Sequence, residues 1–390
     1  MSSLVPTSKN VLIIAGETSG DLHGARVVEA VRRQRPEINF FGIGGDALRA
    51  AGTEVLVDAR EMAVLGLWEV LKRYSFFRRV FGEIRASAVE RKPDLALLID
   101  YPGFNLRLAA ELKKLNIPVL YYVCPQVWAW HRSRIQKMAQ IIDRLLVIFP
   151  FEVDAFSGTG LRVEYVGHPL VDEAARVREG NGEPIPWPSG TDPEGPRIAL
   201  LPGSRKQEIE RILPTMWVAA GLVQQAEPSA RFILAAPSSE LAERAHALGV
   251  KTGGGPTHYS VVVGQTRRVL AEATAAWVKS GTSTVEAALM KCPMCIVYKT
   301  SPITYFFGKR LIRVPHLGMV NLILEREAFG EFIQHEATPA RLAEALLPLL
   351  RDTPERAASL LALDEIEQRL GVGGAAVNVA KALIEELDAR

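Results

Sequence analysis

Cysteine, aromatic residues and net charge are all scarce in this 390-residue chain. The three cysteines, Cys124, Cys292 and Cys295, are too few and too unevenly spaced for a disulfide framework, which agrees with a reducing compartment. Cys292 and Cys295 form a CxxC, but Pro293 sets them across a helix-to-strand turn and no second pair completes a zinc site, so buried, inert thiols are the expectation. Lys and Arg, 46 together, nearly balance the 44 Asp and Glu, so no global field draws the chain to nucleic acid and any basic function is local. The run Val11 to Ala15 is too short for a signal-peptide core or a membrane span, and the cytoplasm is the expected location. No D-x-D occurs, so the chain lacks that acidic pair as a clamp for a divalent metal.

Alternation is what the chain has in abundance. Short β-rich apolar runs at Val11 to Ala15, Asn39 to Ile43, Asp94 to Asp100, Val119 to Val123 and Leu145 to Phe149 alternate with helical patterns such as Asp21 to Gln34 and Asn105 to Leu115. That pattern predicts α/β folding, with parallel sheets covered on both faces. The segment 176–196 is rich in Gly and Pro without apolar periodicity and reads as a connection. A second alternating series follows, with strands at Arg197 to Leu201, Arg231 to Ala235, Ser260 to Val263, Ala275 to Lys279 and Met294 to Tyr298. The expected plan is a Rossmann-like domain over 1–175, a linker over 176–196, and a second Rossmann-like domain over 197–353. The two face a cleft, and a helical segment over 354–390 packs back on the first.

Ligands of open α/β sheets lie beyond the carboxyl ends of the strands, so the chemistry is sought there. The stretch from Arg197 to Glu208 runs from a buried-strand pattern through Pro202-Gly203-Ser204 into a helix, with Arg205 at the junction. Unpartnered N–H groups of a first helical turn, the helix dipole and a planar guanidinium together suit a phosphate; an ordinary turn with an exposed Arg is the plain alternative. A second helix start of this type follows Lys279, with Ser280, Gly281 and Thr282 at its head and Glu286 one turn in. Glu286 is placed to accept the hydroxyls of a ribose, or is simply a carboxylate favoured by the dipole. Two such starts in one half point to a nucleoside diphosphate.

In the first half, Gly16, Glu17, Ser19 and Asp21 lie in a strand-turn-helix passage that lacks the dinucleotide fingerprint, which disfavours a Rossmann dehydrogenase. Helix capping is expected of Ser19 or Asp21. Asp100 ends a strand, and because Asn105 is the better cap for the next helix, Asp100 is left without a structural task. A carboxylate there suits a general base or binds turn amides. His168, between Gly167 and Pro169, reads as a substrate contact or a hinge residue; Trp128 and Trp130 line a pocket or serve packing.

AGETSGD at 15–21, EMAVLGLWEVL at 61–71, IDYPGFN at 99–105, CPQVWAW at 124–130, VGHPLVD at 166–172, LLPGSRKQEI at 200–209, SGTSTVEAALMKCP at 280–293 and Asn321-Leu322 occur in one order. The set resembles the lipid-A-disaccharide synthases, bacterial glycosyltransferases of the two-domain GT-B type. The resemblance implies UDP-2,3-diacylglucosamine as donor, 2,3-diacylglucosamine 1-phosphate as acceptor, a β(1→6) disaccharide as product and UDP released, with no cofactor. Position by position, it makes Asp100 the carboxylate that deprotonates the acceptor 6-hydroxyl, Arg205 a diphosphate ligand, Glu286 a ribose ligand and Asn321 a nucleotide-side residue. Gly16, Glu17, Ser19 and His168 are expected on the acceptor side or in the cleft. Cys124, His131 and Val320 depart from the residues usual at those places in the family.

Without a metal clamp, Arg205 and the two helix starts must neutralise the leaving diphosphate, and metal-independent turnover is expected. Val64 to Phe81 mixes Leu67, Trp68, Leu71 and Phe77 with Lys72, Arg73, Arg78 and Arg79. Such a segment suits the interface of an anionic bilayer, here the cytoplasmic side of the inner membrane, or else forms a core helix with a basic edge. A UDP-N-acetylglucosamine transferase or epimerase, and a nucleotide-sugar binding protein without turnover, are the rival readings. Homodimerisation and acyl-chain length are left open.

Overall fold

Runs such as Leu95–Ile99, buried at every residue, cannot form amphipathic edges and instead build the middles of parallel sheets. The computed structural model describes residues 8–62, 74–130, 133–180, 184–190, 192, 194–311 and 314–389. Its first sheet holds β1 (Asn10–Ala15), β2 (Asn39–Gly44), β3 (Glu54–Asp58), β4 (Leu95–Ile99), β5 (Val119–Tyr122), β6 (Arg144–Val147) and β7 (Arg162–Tyr165), ordered β3-β2-β1-β4-β5-β6-β7. The second holds β8 (Arg197–Leu201), β9 (Arg231–Ala236), β10 (Tyr259–Val263), β11 (Ala275–Lys279), β12 (Met294–Tyr298) and β13 (Glu331–Ile333), ordered β10-β9-β8-β11-β12-β13. In each sheet the chain reverses its direction of winding between two central strands, β1 and β4 in the first and β8 and β11 in the second. Those switch points open a crevice at the carboxyl ends of the strands.

Two compact units result. One runs to Pro169 and takes up the chain again from Gly373; the other is Leu170–Val372. Helices cover both faces of each sheet. Thr18–Arg32, for example, buries Ala25, Val27, Val28 and Val31, the spacing of one helical face, in the cluster that holds Val11, Ile13 and Ile99.

The helical segment expected over 354–390 divides. Ala375–Asp388 joins the first unit, burying Val379, Ala380, Leu383 and Leu387 in the same cluster as Val28. The buried Arg144 fixes it by donating to the carbonyl of Ala382 at 2.9 Å and pairing with Glu385 at 2.9 Å. Pro354–Leu370 stays with the second unit, where Lys291 meets Asp364 and Glu367 and Arg356 donates to the carbonyl of Thr274 at 2.9 Å. The Gly-Pro-rich connection also differs from a bare linker. A helix runs on to Glu179, and farther along Ile185 N–H and Trp187 Nε1 both donate to the Glu272 carboxylate.

Candidate active site

The crevice of the first unit is built from the ends of β1 and β4, where Ala15 lies opposite Ile99. Asp100 and Tyr101 follow with φ of 46° and 47°. Two successive non-glycine residues in the left-handed region cost about 1–3 kcal/mol each and persist only when their surroundings hold them. Here they are held at several points. The N–H of Asp100 donates to the Tyr122 carbonyl at 2.9 Å, and the Asp100 carbonyl accepts from the Tyr121 hydroxyl at 2.6 Å and from Asn105 Nδ2 at 2.8 Å. The Tyr101 hydroxyl donates to the carbonyl of Met62 at 3.0 Å.

Gly16 makes this turn possible. A Cβ there would lie 2.6 Å from Cδ1 of the Tyr101 ring, so only glycine admits that ring. The backbone turn leaves the Asp100 carboxyl largely buried, and burial pushes its pKa up to about 6. The charge of Glu17 adds to the rise, and the Tyr101 N–H opposes it. A carboxylate tuned to that range accepts a proton near neutral pH more readily than an ordinary Asp.

Asn105 does not cap the helix after β4. Tyr101 is the cap residue and Pro102 opens the helix at its first turn, where a missing N–H costs nothing. Asn105, fully buried, instead turns back toward the strand and donates to the carbonyls of Ile99 and Asp100. Asp21 caps a helix other than its own, because its carboxylate accepts from the N–H groups of Gly45, Ala47 and Leu48 at the start of Asp46–Ala50. Glu17 and Ser19 are exposed at the head of Thr18–Arg32.

His168 is 2% exposed with its ring 4.9 Å from that of Phe149, and burial aided by His23 pulls its pKa down to about 3. The imidazole is thus enclosed and packed on Phe149, and a place for His168 on the acceptor side is an expectation that this packing neither requires nor excludes. Trp128 is likewise internal, donating through Nε1 to the buried Glu152 at 3.0 Å. Leu67, Trp68, Leu71, His131 and the Trp130 side chain lie outside the described residues. Phe77 is half-buried and packs one side against the core cluster that contains Val80 and Ile84.

In the second unit the equivalent crevice lies between β8 and β11, with Leu201 opposite Val278. The loops 202–205 and 280–281 leave these neighbouring strands side by side. Gly203 takes φ 128°, and Ser204 and Arg205 are exposed at the start of the helix Lys206–Ala226. Thr282 is exposed at the head of Thr282–Leu289, beside Gly281. Both helix starts expected for a diphosphate are therefore brought together. Ser280 is not available as a ligand, however, since its hydroxyl donates to the carbonyl of Leu317 at 2.7 Å.

Glu286 lies one turn farther along, mostly buried. Arg267 Nε donates to it at 2.8 Å, and the same guanidinium pairs with Glu173. Burial raises the Glu286 pKa and Arg267 works against the rise, so Arg267 is what keeps this carboxyl available as an acceptor.

Asn321 is 0% exposed and saturated. Its Nδ2 donates to the Phe329 carbonyl and to Glu331, while its Oδ1 accepts from the N–H groups of Ala328 and Phe329. A side chain with every donor and acceptor spent inside the protein has nothing left for a nucleotide. Asn321 thus clamps the loop before β13 with its side-chain amide, and a nucleotide-side role for it would act through the shape of that loop.

Glu208 and Lys279 were passed over in the sequence. Glu208 Oε2 accepts from the N–H groups of Ser204 at 3.0 Å and Arg205 at 3.3 Å, and Glu208 Oε1 meets Lys279 Nζ at 3.0 Å. Both carried a signal. Glu208 stands three residues after the cap position, where a carboxylate reaches back to backbone N–H groups, and Lys279 is a charge ending an apolar strand, as Asp100 is.

A model of the family described as lipid-A-disaccharide synthetase matches residues 11–379. The chain is 41% identical over 374 residues to a lipid-A-disaccharide synthase of Anaeromyxobacter sp. (strain K), covering 96% of each. Its fold is similar to that of a UDP-N-acetylglucosamine 2-epimerase structure from Listeria monocytogenes, with a TM-score of 0.67 at 15% identity over 98% of this chain and 97% of that one. It is also similar to the calicheamicin glycosyltransferase CalG4, with a TM-score of 0.55 at 14% identity over 98% and 99%. These likenesses fix the architecture as GT-B, while the match over nearly the whole length decides the relationship: the chain belongs to the lipid-A-disaccharide synthetase family.

Proposed function

We propose that this glycosyltransferase joins UDP-2,3-diacylglucosamine to 2,3-diacylglucosamine 1-phosphate, giving the β(1→6) disaccharide 1-phosphate and UDP with inversion at the anomeric carbon. The observation that carries the reading is the Asp100 carboxyl, raised to about 6 by burial and held in a strained turn at the first crevice. Asp100 takes the proton of the acceptor 6-hydroxyl as that oxygen bonds to the anomeric carbon. The bond from that carbon to the diphosphate breaks, and its electron pair leaves with UDP. Negative charge then grows on the diphosphate, where Arg205 and the amides at Gly281 and Thr282 stabilise it by fixed dipoles and charge. Glu286, oriented by Arg267, accepts the ribose hydroxyls.

Working at the cytoplasmic face of the inner membrane fits acylated substrates. The helix Tyr74–Arg91 supports it, with Tyr74, Arg78 and Arg79 exposed at its head and apolar Leu67, Trp68 and Leu71 preceding it in sequence. No described helix is long and apolar enough to cross a membrane.

The test pairs two variants, with turnover followed on the acylated substrates and UDP binding by calorimetry. Asp100→Ala should keep UDP affinity and lose roughly 10²- to 10⁴-fold in turnover. Arg205→Ala should weaken UDP binding roughly tenfold. Near-normal turnover in Asp100→Ala would remove the base from this mechanism.

A further inference from the structure

The second unit already holds an anion where the diphosphate is expected, and that anion is its own. Glu208 accepts the N–H groups of Ser204 and Arg205, the donors an incoming phosphate would use, and its other oxygen is paired with Lys279. The turn is shaped around this side chain, since a Cβ at Gly203 would lie 2.5 Å from Glu208 Oε2 and 2.6 Å from Glu208 Cβ. Lys279 is 21% exposed at the end of β11, and a Cβ at Gly281 would come 3.4 Å from its Nζ. The ammonium therefore stands between the two glycine turns, within reach of both.

We infer that Glu208 is a placeholder for the diphosphate and that Lys279 is a second diphosphate cation, handed from one to the other when the nucleotide binds. This rests on the reading of the second unit as the UDP site and adds a residue to it. A diphosphate carries more negative charge than one carboxylate and offers more acceptor oxygens, so it outcompetes Glu208 for both the amides and the ammonium. Until then the pair keeps Lys279 extended at the crevice and spares it an unpaired, half-buried charge. Once on the diphosphate, Lys279 gains strength as the leaving group's charge develops, which adds to turnover as well as to binding.

Calorimetry of UDP binding to the full chain at low and high KCl tests this, with wild type, Lys279→Met, Lys279→Arg, Glu208→Gln and Arg205→Ala compared. Lys279→Met should weaken UDP roughly tenfold and flatten the dependence of Kd on KCl, and Lys279→Arg should restore most of both. Glu208→Gln, which keeps an acceptor for the amides but loses the competing charge, should bind UDP at least as tightly as wild type. Wild-type affinity and salt dependence in Lys279→Met, with Arg205→Ala weakened, would sink the role of Lys279 and leave the UDP site standing. A Glu208→Gln chain that is folded by its melting curve yet binds UDP tenfold more weakly would make Glu208 a simple cap and overturn the exchange. Failure of wild type to bind UDP would overturn the site and this inference together.

Discussion

Asn105 donates its side-chain amide to the backbone carbonyl of Asp100 at 2.8 Å, from within the helix that Asp100 precedes. The bond ties a strained, left-handed residue to a fully buried anchor. It explains how a carboxylate can be aimed by a backbone conformation that would otherwise relax, because the Asn105 amide is already spent on Ile99 and Asp100 and has no reason to move.

Asn105→Ala should therefore misaim Asp100 without touching the nucleotide. Turnover is expected to fall roughly 10- to 100-fold while the Kd for UDP is unchanged, as a small misplacement of a reacting group does. Steady-state kinetics and calorimetry at a temperature well below melting check it. A matched loss of UDP affinity would point to general unfolding instead.

The pH dependence follows from the raised pKa of Asp100. kcat/KM should rise with pH through about 6, as the carboxylate becomes available to take a proton. Stability runs the other way. A carboxyl whose folded pKa lies above its unfolded value binds its proton more tightly in the native state, so the stability this contributes is present below about 4 and lost as pH rises through about 6. Asp100→Asn should accordingly raise the melting temperature at pH 8 by a few degrees and leave it unchanged near pH 3. Equal shifts at both values would remove ionisation as the cause.

Asn321→Ala should act on stability. The change leaves the Ala328 and Phe329 N–H groups and the Phe329 carbonyl without their partner, at about 1–3 kcal/mol for each group that stays unsatisfied. Thermal unfolding should show a melting temperature lower by roughly 5–10 °C. UDP affinity measured in the cold should be close to wild type, and a large loss there with an unaltered melting curve would return Asn321 to the nucleotide.

At the basic aromatic segment, two kinds of apolar residue should separate. Replacing Leu67, Trp68 and Leu71 with Ser should lower binding to vesicles containing anionic lipid while the melting temperature holds. Phe77→Ser, which opens the core around Val80 and Ile84, should lower the melting temperature by a few degrees. Unfolding by the first set would make that stretch part of the core.

Central strands were readable because a strand buried on both faces is an unbroken apolar run, as in β1, β4, β8 and β11. The edge strands β7 and β13 carry Arg162, Glu164 and Glu331 with no apolar run to mark them, and β3 has only the short run Val55-Leu56-Val57 between Glu54 and Asp58. Asp100, Arg205 and Glu286 could be singled out as candidates for a related reason: each is a polar residue just past a buried strand or one turn into the next helix. Asn105 was misread as a helix cap, since a buried amide and a capping amide look the same until their partners are known.

The order of strands, turns and helices, the two crevices and the chemical character of the residues at their mouths were set by the sequence, because local burial and turn chemistry leave their period in the residues. Tertiary structure decided which of those residues remain free to act. The Ser280 hydroxyl is spent on Leu317, the Asn321 amide on the loop before β13, and the His168 ring packs on Phe149, whereas Glu208, in the helix after β8, and Lys279, at the end of β11, meet as an ion pair. Hydrogen-bond partners far apart in the chain cannot be counted from the chain alone, and it is their count that separates a ligand from a clamp.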